Sequence, residues 1–145
     1  MSIVFFDFKY ALKQHEKILE ISGGFPGYKD KEYLQTIIDH VKNNSYYPTF
    51  SAKLAYVVFS ISTGHIFNDG NKRTAIALGS YLLELNGLGG NVGSFIVHME
   101  YLVIWLVERK ISRSTFNRAV ESIVLTGDLG ESVQLETLRE LSDEA

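Results

Sequence analysis

Cysteine is absent from the 145 residues of this chain. Thiolate zinc sites, iron–sulfur clusters, disulfide frameworks and cysteine nucleophiles are thereby excluded. A reducing compartment is permitted, and the cytoplasm is the expected location. Proline occurs only twice, so no collagen-like bias is present. An excess of charge is lacking too: the net value is −3, which argues against a broad electrostatic grip on nucleic acid or on an anionic membrane. Long hydrophobic runs are missing. The longest fully apolar run towards the C-terminal half covers residues 101–107, far short of the about 18 residues of a membrane span. The start, MSIVFFDFKYALK, holds Asp7 inside its apolar stretch and has no basic flank, so it does not read as a signal peptide. A soluble, single-domain chain is expected, with 46% hydrophobic residues to close one core.

What is present is helical periodicity. Residues 7–21 set Tyr10, Ala11, Ile18 and Ile21 among polar neighbours, and Gly23, Gly24, Pro26 and Gly27 then break the chain. Asp30 stands where an N-cap belongs, ahead of Leu34, Ile37, Ile38 and Val41 at i, i+3, i+4, i+7. Residues 43–49 read as a loop or short hairpin with Tyr46, Tyr47 and Pro48. A mostly buried helix runs from Ser51 to Gly64. Another follows residue 70, with Gly79 permitting close packing and Asn86 and Gly87 closing it. Residues 95–109, apolar nearly all round, predict a central buried helix, and Ser114 is a candidate cap for the next one. No repeat, low-complexity tract or βαβ alternation occurs. The pattern predicts an all-α bundle. The last 20 residues differ: six acids and one arginine give a net −5, which leaves +2 on residues 1–125 out of the chain's −3. Residues 1–125 are therefore read as the domain, and 126–145 as an acidic tail or short helix with Val133, Leu135, Leu138 and Leu141 on one stripe.

Between two helices, residues 65–74 read HIFNDGNKRT. A bare helix connection needs a glycine and a cap, not this density of chemistry. Gly70 and Asn71 fall at a helix start, where unpaired N–H groups and the helix dipole favour an anion. Lys72 and Arg73 occupy the first turn, an unfavourable place for cations unless something negative binds there. Asp69 is an oxygen ligand suited to Mg²⁺, and Asn71 is a candidate for a second. His65 is of the residue type best suited to take a proton from a hydroxyl. Other motifs fail on spacing: five residues rather than four separate Gly64 from Gly70, so this is not a P-loop. An EF-hand's alternating acids and distal glutamate are also missing. His40 and His98 read as structural, and His15 as a packed or hydrogen-bonded helix residue.

At these residues the sequence resembles the Fic/Doc family, whose signature is His-x-Phe-x-Asp/Glu-Gly/Ala-Asn-x-Arg, and specifically its Doc (death-on-curing) branch. Upstream, His15 followed by ISGGFPGYKD resembles the Doc pattern of a histidine, then Gly-Gly-x-x-Gly-x-basic-Asp. The resemblance covers residues 8–125. It implies a compact α-helical fold with a short flap hairpin or loop before the motif, and an enzyme that transfers part of ATP to a hydroxyl of a target protein. By the same resemblance His65 is the general base, Phe67 anchors the loop, and Asp69 holds Mg²⁺. Gly70 and Asn71 line the anion hole, Lys72 and Arg73 neutralise phosphates, and the flap lies at residues 45–49 with Tyr46 and Tyr47.

Members that transfer AMP usually carry glycine where Lys72 stands, and often a further arginine where Ile76 stands. Both departures favour transfer of the γ-phosphate. The resemblance then implies a toxin kinase acting on a translation factor, elongation factor Tu, and restrained by a Phd-like antitoxin. AMP transfer is the alternative within enzymes, and a catalytically silent binding module is the alternative outside them. Ser132 and Glu136 loosely match the family's inhibitory helix, but the arginine that its glutamate would meet is replaced by Ile76, so self-inhibition is not expected.

Overall fold

The computed structural model describes residues 2–143. Among these, the chain forms seven α-helices: α1 (Phe8–Ser22), α2 (Lys31–Val41), α3 (Phe50–Thr63), α4 (Asn71–Leu85), α5 (Val92–Val107), α6 (Arg113–Thr126) and α7 (Glu131–Asp143), with a 3₁₀ turn, Gly89–Asn91, ahead of α5. No strand is present among the described residues, only an isolated antiparallel bridge between Tyr28 and Phe67. The all-α expectation holds.

Helix starts follow their caps. Asp7, Asp30, Thr49 and Ser112 each accept a backbone N–H from the first turn of α1, α2, α3 and α6. Ser112 therefore caps α6, and Ser114 lies inside it. The segment between α2 and α3 is a loop with no hairpin.

The centre of the bundle is α3, which packs against α2, α4, α5 and α6. Small residues let neighbouring helices approach it: Ser51, Ala55, Ser60 and Ser62 are buried beside Leu54, Val57, Val58 and Ile61. Gly79 on α4 serves the same end, since a Cβ there would stand 2.8 Å from the Phe95 ring and 3.0 Å from Val58. On α2, Leu34, Ile37, Ile38 and Val41 are all buried as their spacing predicts; burial of each such side chain contributes about 1.5–3 kcal/mol.

Three expectations of burial are corrected. α5 is not buried all round: Phe95, Met99, Leu102, Val103 and Leu106 face the core, while Val97 and Ile104 are exposed. An apolar composition set its predicted burial, but α3 occupies the centre and α5 is left on its flank. The helical stretch Gly89–Val107 is also, by length and composition, long enough to cross a bilayer, although its buried stripe packs against protein. The C-terminal stripe divides as well. Val133 and Thr137 are buried on α6, whereas Leu135 and Leu138 are exposed. Ile21, read as part of the α1 apolar face, is 84% exposed.

Candidate active site

The candidate site is built from two loops laid side by side. One enters α4 (residues 64–70) and the other joins α1 to α2 (residues 23–30). Their main chains are stitched together: Lys29 and Asp30 donate N–H to the Ile66 carbonyl at 2.8 and 3.1 Å, and Asn68 donates to the Gly27 carbonyl at 3.1 Å. The Asn68 amide reaches the Pro26 carbonyl at 3.0 Å. Gly24 shows how tight the seam is. A Cβ there would lie 2.6 Å from Asp69 Oδ2, and its φ of +131° is one that side chains rarely adopt.

Phe67 is fully buried, as an anchor should be. Its ring stacks on His15 with centroids 3.7 Å apart, and Asn71 clamps its backbone at both ends: Oδ1 accepts the Phe67 N–H and Nδ2 donates to the Phe67 carbonyl, each at 3.0 Å. The Asn71 side chain is thus spent on the loop. What this residue offers an anion is its backbone N–H, and the second Mg²⁺ ligand expected from its side chain is not free in this arrangement.

His15, from α1, is buried and its Nε2 lies 2.7 Å from the Asp69 carbonyl. A carbonyl only accepts, so Nε2 carries the proton and donates it. The histidine read as packed or hydrogen-bonded is both, and it braces the motif from beneath.

Asp69 Oδ2 accepts the Phe25 N–H at 3.1 Å and Oδ1 accepts the Gly70 N–H at 2.8 Å, with the Arg73 guanidinium 3.4 Å from Oδ1. These contacts, led by the Phe25 N–H, hold the carboxyl below its ordinary pKa. It is therefore ionised, partly exposed, and keeps a lone-pair direction on Oδ2. A hard oxygen donor of this kind fits Mg²⁺. Arg73 reaches back to α1, donating to Ser22 Oγ and, at 2.9 Å, to the Gly23 carbonyl.

Gly70 begins α4 in the left-handed region, φ 83°, and no side chain caps the helix. The N–H groups of Asn71, Lys72 and Arg73 consequently have no intrahelical partner. They open on a cleft of about 500 Å³ lined on one side by His65, Asp69, Lys72 and Arg73, and on the other by Glu100, Val103, Ile104 and Val107 of α5 with Ile76 of α4. His65 is exposed at its rim, with φ 52° and no described group bonded to its ring. One base, two carboxylates (Asp69 and Glu100), two cations and a run of unpaired amides thus share a single opening. Ile76, Val103, Ile104 and Val107 add apolar surface beside Glu100.

Tyr46 and Tyr47 are not part of it. They pack with His40 and Tyr56 and line a different hollow with Arg113 and Arg118. The 14 residues of α3 separate them from His65, about 20 Å at helical rise. The segment lying along the motif is instead residues 23–30. The Gly-Gly-x-x-Gly spacing, a chain break that also belongs to the Doc-like pattern, carries that signal. His98 bonds the Tyr101 hydroxyl at 2.6 Å and Asp128 at 3.2 Å, a structural role. Glu136 bonds Thr115 and Arg118 of α6, and no α7 residue lines the cleft. Among the described residues, no group of three or more histidine, aspartate or glutamate side chains is gathered for a metal.

The chain is 35% identical over 78 residues to "Protein kinase doc" of Escherichia phage P1, an alignment that takes in 51% of this chain and 61% of the phage protein. The Fic/DOC family matches residues 5–83. That span begins just before α1 and closes near the end of α4, so it encloses both loops and every contact between them. With more than half of its length inside the match, the chain belongs to the Fic/DOC family.

Proposed function

We propose that this protein is a Doc-like toxin kinase that moves the γ-phosphate of ATP to a serine or threonine hydroxyl of a translation factor, elongation factor Tu by family resemblance, with a Phd-like antitoxin as its restraint. The observation that carries the reading is the shared opening: a His65 whose ring bonds no described residue, beside a helix start with no side-chain cap and Lys72. The phage relative's designation as a protein kinase supports the same chemistry. So do Lys72, where AMP-transferring members usually have glycine, and Ile76, where they often have arginine.

Phosphoryl transfer depends chiefly on positioning and neutralised charge. The free N–H groups of α4 would hold phosphate oxygens, with Lys72 balancing charge at the mouth. Asp69 would hold Mg²⁺, which when bound supplies further neutralisation of the phosphates. His65 accepts the proton of the target hydroxyl as its oxygen bonds to the γ-phosphorus; the bond from that phosphorus to the β–γ bridging oxygen breaks and ADP leaves. Residues 23–28, with Phe25 and Tyr28 exposed, are placed to align a target segment.

Incubation with purified translation factors and ATP labelled at the α or the γ phosphate tests the reading. Label retained from the γ position alone is expected. Retention from the α position would replace the kinase with an AMP transferase, and no transfer from either would favour a silent binding module.

A further inference from the structure

An opening larger than the cleft around His65 lies away from the motif. It measures about 1210 Å³ and is walled by residues 2, 3 and 5–9, by α2 with the segment that follows it, and by Lys53 of α3. It shares no lining residue with the cleft around His65.

Lys53 is out of place by composition. It sits in the apolar central helix and is 1% exposed. Its ammonium donates to the Val41 carbonyl at the end of α2, 2.9 Å away, and lies 5.9 Å from the Phe5 ring centre. Capping α2 uses one of three N–H groups. The other two have no acceptor among the described residues, and no described carboxylate stands within ion-pair distance. A buried cation without a counter-ion is costly. The lining compounds the imbalance. Lys9 and Lys42 add positive charge, and the single acid, Asp7, already accepts the Tyr10 N–H as the cap of α1. Ile3, Phe5, Phe8 and Ile38 give the same opening an apolar side.

We propose that this cleft binds a small amphipathic anion, a carboxylate or phosphate monoester on an apolar chain or ring, with its head group at Lys53. The charge deficit selects the head and the aromatic and aliphatic walls select the body. The site is independent of the transfer chemistry, and its test does not depend on it.

Decanoate and decyl phosphate, titrated into the full chain by calorimetry beside decanol and inorganic phosphate, provide that test. At least one of the two amphipathic anions is expected to bind saturably at one per chain, and the tighter of the two identifies the head group. Lys53→Met, which keeps an unbranched apolar stem and removes the buried charge, is expected to weaken that anion about tenfold and to leave decanol unchanged. Should that variant fail to fold, Lys42→Ala on the exposed rim is expected to weaken the same anion without disturbing the core. Binding equal in wild type and variants, binding of inorganic phosphate alone, or no saturable binding would overturn the proposal and leave Lys53 as a cap of α2.

Discussion

At the scale of single residues, the site separates groups that act from groups that hold them. His65 is exposed and its ring is bonded to none of the described residues, so it braces no other described element. His65→Ala is expected to change stability by no more than about 1 kcal/mol while lowering phosphate transfer roughly 10²–10⁴-fold, read from melting curves and labelled ATP on the same preparation. Undiminished transfer in a folded variant would remove the base role. Asp69 makes a prediction in pH. Its carboxyl is held below the ordinary value, first by the Phe25 N–H and then by the Gly70 N–H. A depressed acid stabilises its folded surroundings above its unfolded pKa, about 3.9, and that contribution is lost as pH falls through the folded value. Anchorage of the residue 23–30 loop should therefore be complete at neutral pH and fade below pH about 4, seen as a falling protection factor at the Phe25 amide, its exchange being compared with the unstructured rate at the same pH. A protection factor that stays flat across that range would show that the carboxylate does not hold the loop.

At the scale of elements, the junction of α4 with its preceding loop is where sequence becomes chemistry. Asn71 closes a ring with Phe67 by two hydrogen bonds, so the first residue of α4 positions the loop that feeds it. Asn71→Ala leaves both Phe67 backbone groups without that partner and is expected to cost about 1–3 kcal/mol in urea unfolding. Asn71→Asp keeps one acceptor but faces a carboxylate to the Phe67 carbonyl, so it should rescue little. A variant as stable as wild type would mean the ring is incidental. α7 shows the same logic at a second junction. Glu140 accepts the Ser112 N–H at 2.9 Å and so places an anion at the start of α6, where the helix dipole favours one.

At the scale of the molecule, the site and the acidic C-terminal helix are separable. α7 buries Val133 and Thr137 against α6, yet none of its residues reaches the cleft. Removing residues 128–143 is expected to lower stability by roughly 3–5 kcal/mol, mainly through lost burial of Leu129 and Val133 and its cavity. Transfer per folded molecule, corrected by circular dichroism, should be retained. Its loss in the folded fraction would tie α7 to the active state.

Periodicity and capping made most of the helices legible, because an amphipathic stripe and a side chain bonded to a first-turn N–H are local facts. The motif at residues 65–74 was legible for the same reason: the residues that act lie within one turn of one helix start. What the sequence by itself determined was therefore the helical class, the helix starting at residue 71 and the identity of its chemical groups. Only the tertiary structure decided which other segment meets that start. Residues 23–30 lie along the motif and Tyr46 and Tyr47 do not, because α3 holds the latter at its far end. It also decided that α3 rather than α5 fills the centre, and that Lys53 is buried. Each of these depends on long-range packing, and a hydrophobic pattern states which face of a helix seeks cover without naming what covers it.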